Sequence, residues 1–308
     1  MHRNGALSQH PEGALANPLA GWRQRHHYCV RSQPGTRLLA WLCPVCRDRL
    51  ALTEAESRWV CPAGHSFDVA REGYVNLLLA GQRRSRQPGD SPEMVGARRR
   101  FLATGAYDPL SAAVARVVAD DQPCIVLDVG CGEGRHTRAI SAPAVLGIDV
   151  AKTAVAAAAR SHPGGSYAVA SAADLPVEDG AVDVAVNVFG PVIAAELARV
   201  VRPGGAVVTA FPAAGHLEGL RAMVYPGARP HELKPPLRDA DEWFVQTGSI
   251  SVTFTLAVTD VAALRDLFAM TPYRWHAPPD MDDRIAAAVS PRFETLADIQ
   301  VATYRRRA

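Results

Sequence analysis

No apolar run in these 308 residues approaches the 18 or more that a membrane-spanning helix requires. Met1–Arg37 holds no continuous apolar stretch of the kind that marks a secretory leader. The two absences make a cytoplasmic chain without a membrane partner the expectation. Lysine is nearly missing, with Lys152 and Lys234 standing against 31 arginines. Together with abundant alanine this matches the codon usage of a GC-rich genome, so the number of arginines by itself assigns no partner. Cysteine is sparse too: Cys29, Cys43, Cys46, Cys61, Cys124 and Cys131. Three of the six cluster beside a histidine, which favours a metal over a disulfide framework in a chain with no secretory context.

What is present is ordinary for a globular protein: 48% apolar and 21% charged residues. The length allows one large domain and one small module. The net charge of +2 is unevenly spread. Residues 1–110 carry 15 Arg against 9 acidic residues, a balance of +6, and the remainder carries 18 basic against 22 acidic residues, a balance of −4. A basic front and a mildly acidic back suit an enzyme whose front meets a polyanion.

Four segments are expected. Residues 1–36 lack apolar periodicity and read as a disordered extension. Residues 37–70 form a compact Cys/His module. Residues 71–122 read as a helical connector, with helices over about 92–104 and 109–119. From 123 to 308 strands alternate with crossovers, the pattern of a doubly wound, Rossmann-like α/β sheet. Strands are expected near 124–129, 145–150, 166–170, 181–189 and 206–211, Arg202–Gly205 as a turn, and 251–258 as a late antiparallel strand.

The small module carries Cys43-Pro-Val-Cys46 and, after fourteen intervening residues, Cys61-Pro-Ala-Gly-His65. Two such knuckles supply a tetrahedral Cys₃His set, a closed structural zinc site with no open position for substrate. A segment this short has too little core to fold unaided, so the metal would supply folding free energy.

Val126-Leu-Asp128-Val-Gly130-Cys-Gly132-Glu-Gly134 reads as a strand, a glycine turn and the start of a helix. A glycine turn alone is shared with dinucleotide enzymes, but no Walker lysine is present. Three acids narrow the choice. Asp128 precedes the turn, where a carboxylate meets a cationic methionine end; Asp149 ends the second strand, where ribose hydroxyls fall; Asp174 follows the third, within reach of an adenine amino group. The ordered set points to S-adenosylmethionine. After the fourth strand, Asn187-Val-Phe189-Gly-Pro191 offers an amide for a base edge and a ring for stacking, although both residues could equally finish a buried strand. Glu93, Asp108 and Asp183 are bases by charge alone. Arg83, Arg84, Arg86, Arg98, Arg99 and Arg100 form the densest basic stretch and are expected at phosphates; Arg305-Arg306-Arg307 is a weaker candidate of the same kind.

Taken together these motifs resemble the bacterial 23S ribosomal RNA (guanine-N1)-methyltransferases, housekeeping and macrolide-resistance enzymes alike. The likeness rests on the four zinc ligands, Phe67-Asp68, Gly73-Tyr-Val-Asn-Leu-Leu78, Glu93-Met94, Ala97-Arg-Arg99, Phe101-Leu102, Gly105, Tyr107, the glycine turn, Glu196-Leu-Ala-Arg-Val200 and Met270-Thr-Pro272. It implies methylation of guanine N1 in 23S rRNA, at hairpin 35 and a 745/748-type position, by a homodimer whose zinc modules flank an RNA cleft. It also implies cofactor contacts from Tyr107, His136, Thr137 and His216. A small-molecule methyltransferase with an accessory zinc knuckle is the competing reading, since the sheet motifs permit it.

Overall fold

The computed structural model describes residues 41–53, 55–82, 89–225, 227 and 232–308. The expected extension, and with it Cys29, lies outside the described residues, as do Arg83, Arg84 and Arg86.

The cysteine module is a ribbon of three short antiparallel strands, β1 (Ala51–Leu52), β2 (Arg58–Val60) and β3 (Ser66–Asp68). The chain then reverses at Gly73, whose φ of +92° suits glycine, and enters β4 (Tyr74–Asn76). Val75 bridges back to Val69 of the ribbon, while Tyr74–Asn76 pairs in parallel with the edge of the main sheet. The Gly73–Leu78 run is therefore a staple between ribbon and sheet. The segment expected to be a helical connector also contributes a strand.

Two helices follow, α1 (Pro92–Ala103) and α2 (Asp108–Ala119). Helix α1 begins where expected because Ser91 caps it, accepting the Met94 N–H at 3.3 Å, with Pro92 at the first position. The strands and helices of the large domain are β5 (Ile125–Val129), β6 (Ala144–Asp149), α3 (Lys152–Ser161), β7 (Ser166–Val169), β8 (Val182–Val188), α4 (Ala194–Val200), β9 (Val201–Pro212), α5 (Glu218–Val224), β10 (Phe244–Val258), α6 (Val261–Ala269), α7 (Met281–Ala288) and β11 (Phe293–Arg306). They form an eight-stranded sheet in the order β10-β11-β9-β8-β5-β6-β7-β4. Neighbours are parallel except that β11 runs antiparallel to both β9 and β10. Strand order reverses at β5, between β6 and β8, and ligands bind at such a switch point, beyond the carboxyl ends of the strands.

Three expectations change. The helix after the glycine turn is only a 3₁₀ turn, Thr137–Ala139, because Pro143 and the start of β6 leave no room for more. Val201 already pairs with Val182, so the strand expected from 206 begins before Arg202–Gly205 and passes through an irregularity rather than a separate turn. Strand β11 had no expectation at all; its inward positions include Thr295 and Ala297, which mute the apolar alternation.

Alternation divides the core. Leu127 and Val129 face a cluster that includes Trp41, Leu50 and Trp59 of the ribbon, while Val126, Val184 and Val186 face Leu110, Val114, Leu264 and Leu267. The ribbon thus covers one face of the sheet. Trp41 is fully buried there and its Nε1 donates to Ser166 Oγ at 3.1 Å. Trp41→Ala is expected to cost about 3–5 kcal/mol, read as a lower urea midpoint with the slope unchanged.

Candidate active site and metal centre

The ligand atoms of Cys43, Cys46, Cys61 and His65 all lie within 4.8 Å of one another. Local backbone builds the two knuckles. Cys43 O accepts Arg47 N–H at 2.8 Å with Arg47 at φ +64°, and Cys61 O accepts Gly64 N–H at 2.9 Å with Gly64 at φ +84°. The Cys46 and Cys61 sulfurs are 3.6 Å apart, and His65 Nδ1 is 3.3 Å from Cys61 Sγ. Zinc–sulfur bonds of about 2.3 Å in a tetrahedron imply S–S edges of roughly 3.8 Å, so the set fits one zinc ion.

At the carboxyl end of β5 the backbone turns through Gly130 and Gly132, at φ +82° and +54°. Asp149 holds this turn, its Oδ2 accepting Gly132 N–H at 3.1 Å and its Oδ1 accepting Ala151 N–H at 2.8 Å. Asp128 is 2% exposed; Thr137 Oγ1 donates to its Oδ2 at 2.5 Å, and its Oδ1 has no partner. Burial pushes its carboxyl up to about 7. Glu133, which sequence reading passed over, is buried beside it with Oε1 unpartnered, and burial raises its pKa as well. Burial also raises Asp149. Three carboxylates around one glycine turn, two with orphaned oxygens, are complementary to a cationic ligand. His136 shares a 2.9 Å hydrogen bond with Ser111 Oγ, and burial, with Arg135 and Arg98 nearby, pushes the imidazole down to about 4. It is neutral at pH 7.

Across the turn, Asn187 is buried and its Nδ2 donates to Val129 O at 2.7 Å and Pro191 O at 3.3 Å. A Cβ on Gly190 would sit 2.6 Å from that Nδ2, so the amide orientation depends on glycine there. Phe189 has φ +58°, sparsely populated for a bulky residue, yet is 42% exposed. Its ring lies 5.5 Å from His216 and 6.4 Å from Tyr107. Tyr107 is buried, edge-on to Phe101 and Phe254 as well. The fold thus gathers Tyr107, Asp128, Gly130, Gly132, His136, Thr137, Asp149, Asn187, Phe189 and His216 around the carboxyl ends of β5, β8 and β9.

Other expected residues have further partners. Asp174, expected at an adenine, is also bound to the ribbon: Arg47 donates to its Oδ1 at 2.8 Å and Gln82 to its Oδ2 at 2.6 Å. It is a strut between ribbon and sheet, formed across 127 residues, and no sequence pattern announces the pairing. Arg199 explains the Glu196–Val200 motif: it donates to Leu175 O, Val177 O, Asp179 and Glu196, clamping the segment after Asp174. Arg100 is bound by both oxygens of Asp266, and Arg98 pairs with Asp90 over the glycine turn, so a phosphate at either would share the guanidinium with that carboxylate; Arg99 is exposed, with no acidic partner among the described residues. Arg305 pairs with Asp121, and Arg306 and Arg307 donate to backbone carbonyls. As possible bases, Asp183 sits at the opposite end of the sheet, bonded to the Cys124 and Ile125 N–H groups, and Asp108 pairs with Arg135.

The sheet, the glycine turn with its carboxylates and the Cys₃His ribbon define a class I S-adenosylmethionine-dependent methyltransferase carrying a zinc ribbon. A family model described as RlmA, N-terminal matches residues 41–86, and one described as Methyltransferase domain matches 126–205. A Micromonospora griseorubida protein provisionally named a 23S rRNA (guanine-N(1)-)-methyltransferase is 38% identical over 289 residues, 85% of this chain and 96% of that one. The 23S rRNA (guanine(748)-N(1))-methyltransferase of Streptomyces fradiae is 37% identical over 249 residues, 77% of this chain and 86% of that one. A Bacillus subtilis protein, YxjB, also provisionally named a 23S rRNA (guanine-N(1)-)-methyltransferase, is 29% identical over 253 residues, 77% of this chain and 88% of that one. The chain belongs to the 23S rRNA (guanine-N1)-methyltransferase family. Its cofactors are S-adenosylmethionine and structural zinc. Among the described residues no helix is long and apolar enough to cross a membrane.

The buried Asp128 has a folded-state pKa above its unfolded value, so the native carboxyl holds a proton that the unfolded chain releases above about pH 4. A cationic cofactor favours the ionised form. Its binding is expected to release a proton, and affinity to rise with pH up to about 7 and then level off. In Asp128→Asn both the affinity and this pH dependence are expected to fall, as measured by calorimetry in buffers of different ionisation enthalpy.

Proposed function

We propose that the chain methylates guanine N1 in 23S rRNA at hairpin 35, a position of the 745/748 type, for ribosome modification or macrolide resistance, and that it acts as a cytoplasmic homodimer. The name of the Streptomyces fradiae relative supports the position, and the family resemblance supports the dimer. The observation that carries the reading is the coupling of the Cys₃His ribbon to the cofactor end of the sheet, because a small acceptor needs no such module.

Asp128, Asp149 and the Gly130–Gly132 turn would hold S-adenosylmethionine, with Tyr107, His136, Thr137 and His216 completing the pocket. Asp174 supports that pocket through the ribbon. When bound, the cofactor supplies an electrophilic methyl group on a sulfonium. The protein's part is position and electrostatics. With its NH₂ anchored on two backbone carbonyls, Asn187 presents Oδ1 as an acceptor for the N–H groups of a guanine edge. Phe189 offers an exposed face for stacking, and its unfavourable φ is the kind of local strain that clusters at working sites. The target base must be unpaired or flipped to reach them. Cys43, Cys46, Cys61 and His65 hold the zinc, and the ribbon with Arg83, Arg84, Arg86 and Arg99 meets the RNA backbone.

Primer extension tests the reading directly, because a methyl on N1 blocks Watson–Crick pairing. Reverse transcriptase is expected to stop at one hairpin 35 guanine in rRNA from cells carrying the gene and to read through without it. Transfer to a small acceptor with no stop on rRNA would replace the proposal by the competing reading. Asn187→Ala is expected to lower kcat on the order of 10²-fold while cofactor Kd stays within about twofold. Metal removal separates the ribbon's role: Cys61→Ser should lose its zinc by elemental analysis, melt at a lower temperature and bind S-adenosylmethionine more weakly, because Arg47 no longer holds Asp174.

A further inference from the structure

Arg221 on α5 is the one arginine that is buried among the described residues, at 5% exposure. No carboxylate pairs with it there, and its Nη1 meets no acceptor. The rest of its guanidinium lies against the Tyr273 hydroxyl. A buried guanidinium without a counter-ion is strongly unfavourable, and every other role named above leaves it unused. An anion is the group it lacks.

Its surroundings say which kind. Tyr273 packs edge-on to Tyr225 at 6.3 Å, and Tyr225 lies 5.8 Å from His276. In the same short 3₁₀ segment, Pro272–His276, Trp275 is 67% exposed with the Arg274 guanidinium 4.9 Å from its ring centroid. Tyr225 is exposed as well. The cluster adjoins the target-base site. Helix α5 starts two residues after His216, whose ring packs on Phe189, and Tyr273 is near enough to Tyr107 to perturb it electrostatically. Exposed aromatic faces beside a buried cation with a donor to spare are the chemistry of nucleotide capture: rings stack on bases, and a guanidinium takes a phosphate.

We propose that Arg221, Tyr225, Tyr273, Arg274 and Trp275 form a second RNA subsite, which grips the phosphate and stacks the base of an unpaired nucleotide flanking the target guanine. The inference rests on RNA being the substrate. It gives the strained Phe189 a partner in holding a splayed strand, because a base leaves its stack more readily when its neighbour is stacked elsewhere. The rival source of an anion is the carboxylate of S-adenosylmethionine, and the two predict opposite results.

The test uses the full-length zinc-loaded protein, a transcript of hairpin 35 of 23S rRNA and filter binding over a range of salt concentrations, with S-adenosylmethionine binding followed in parallel by calorimetry. Arg221→Met is expected to weaken RNA binding about tenfold and to reduce the slope of log K against log salt by roughly 0.7–0.9, the loss of one phosphate contact. Trp275→Ala is expected to weaken it about tenfold with no change of slope. Cofactor affinity should stay within about twofold in both. Wild-type RNA affinity and slope in both variants would overturn the subsite, as would a cofactor defect confined to Arg221→Met. If Arg221→Met does not fold, Trp275→Ala and Arg274→Gln decide alone, since Trp275 is exposed and Arg274, half-buried, lies over its ring: losses support the subsite and wild-type binding overturns it. Methylation of the transcript by the wild-type protein tests the parent reading separately. Its absence, together with no binding, sinks both, whereas methylation with unaffected variants sinks the subsite only.

Discussion

The burial of Trp41, Leu50 and Trp59 against Leu127, Ile148 and Leu175 is the contact on which the rest of the molecule depends. The apolar face presented by β5, β6 and the segment after β7 needs a cover, and the cover is a ribbon too small to fold without metal. Each part therefore stabilises the other. The polar links follow from the same seam: Trp41 to Ser166, Leu42 N–H to Pro176 O at 2.9 Å, Arg47 to Asp174, and Arg49 to Glu178. They all land on β7 or on the loop after it. Zinc has no open coordination position and does no chemistry, yet through this seam it reaches the geometry of the site.

The second organising fact is electrostatic. Asp128, Glu133 and Asp149 crowd one glycine turn, and burial raises all three. Without a ligand such an arrangement is a liability, since two of the carboxylates keep an oxygen that meets no donor. A ligand carrying a sulfonium and an ammonium removes it. Arg98 stands over the turn, held by Asp90, and moderates the repulsion without filling the site. The neutral His136 and the aromatic group of Tyr107, Phe189 and His216 gather at the same end of the sheet, and in the proposed site they would set an apolar side against the carboxylates, a combination suited to a cofactor whose methyl must meet a planar base.

Much of this was legible in one dimension, where local chemistry dictates the outcome. The knuckle spacing of Cys43 to His65 anticipated the four-ligand cluster, because a tight turn can deliver two thiolates only at that separation. The apolar strand before Gly130 and its switch to glycine placed the turn at the carboxyl end of β5. Ser91 and Pro92 marked the start of α1. Strand β11 escaped notice because, between β10 and β9, its inward face carries Thr295 and Ala297 among the apolar residues, so its alternation is weak. The helix expected after Gly134 shrank to a single turn because Pro143 stops the chain just before β6.

Charge was where the tertiary structure added most to the sequence reading, and for one reason. A carboxylate or guanidinium looks the same in sequence whether it faces solvent, a ligand or an opposite charge brought from far along the chain. Asp174 stood in the right place for an adenine and is held by Arg47 and Gln82. Arg100 belonged to a basic run and is held by Asp266. Arg221 drew no attention and is a buried cation whose Nη1 meets no acceptor among the described residues. The sequence by itself determined the metal set, the cofactor turn and the alternation of strands and helices, because these follow from spacing and backbone preference within a few residues. Only the tertiary structure decided which charges are spent on one another and which remain for a ligand, because an ion pair forms wherever folding brings opposite charges within a few ångströms, and that distance is not written in the separation along the chain.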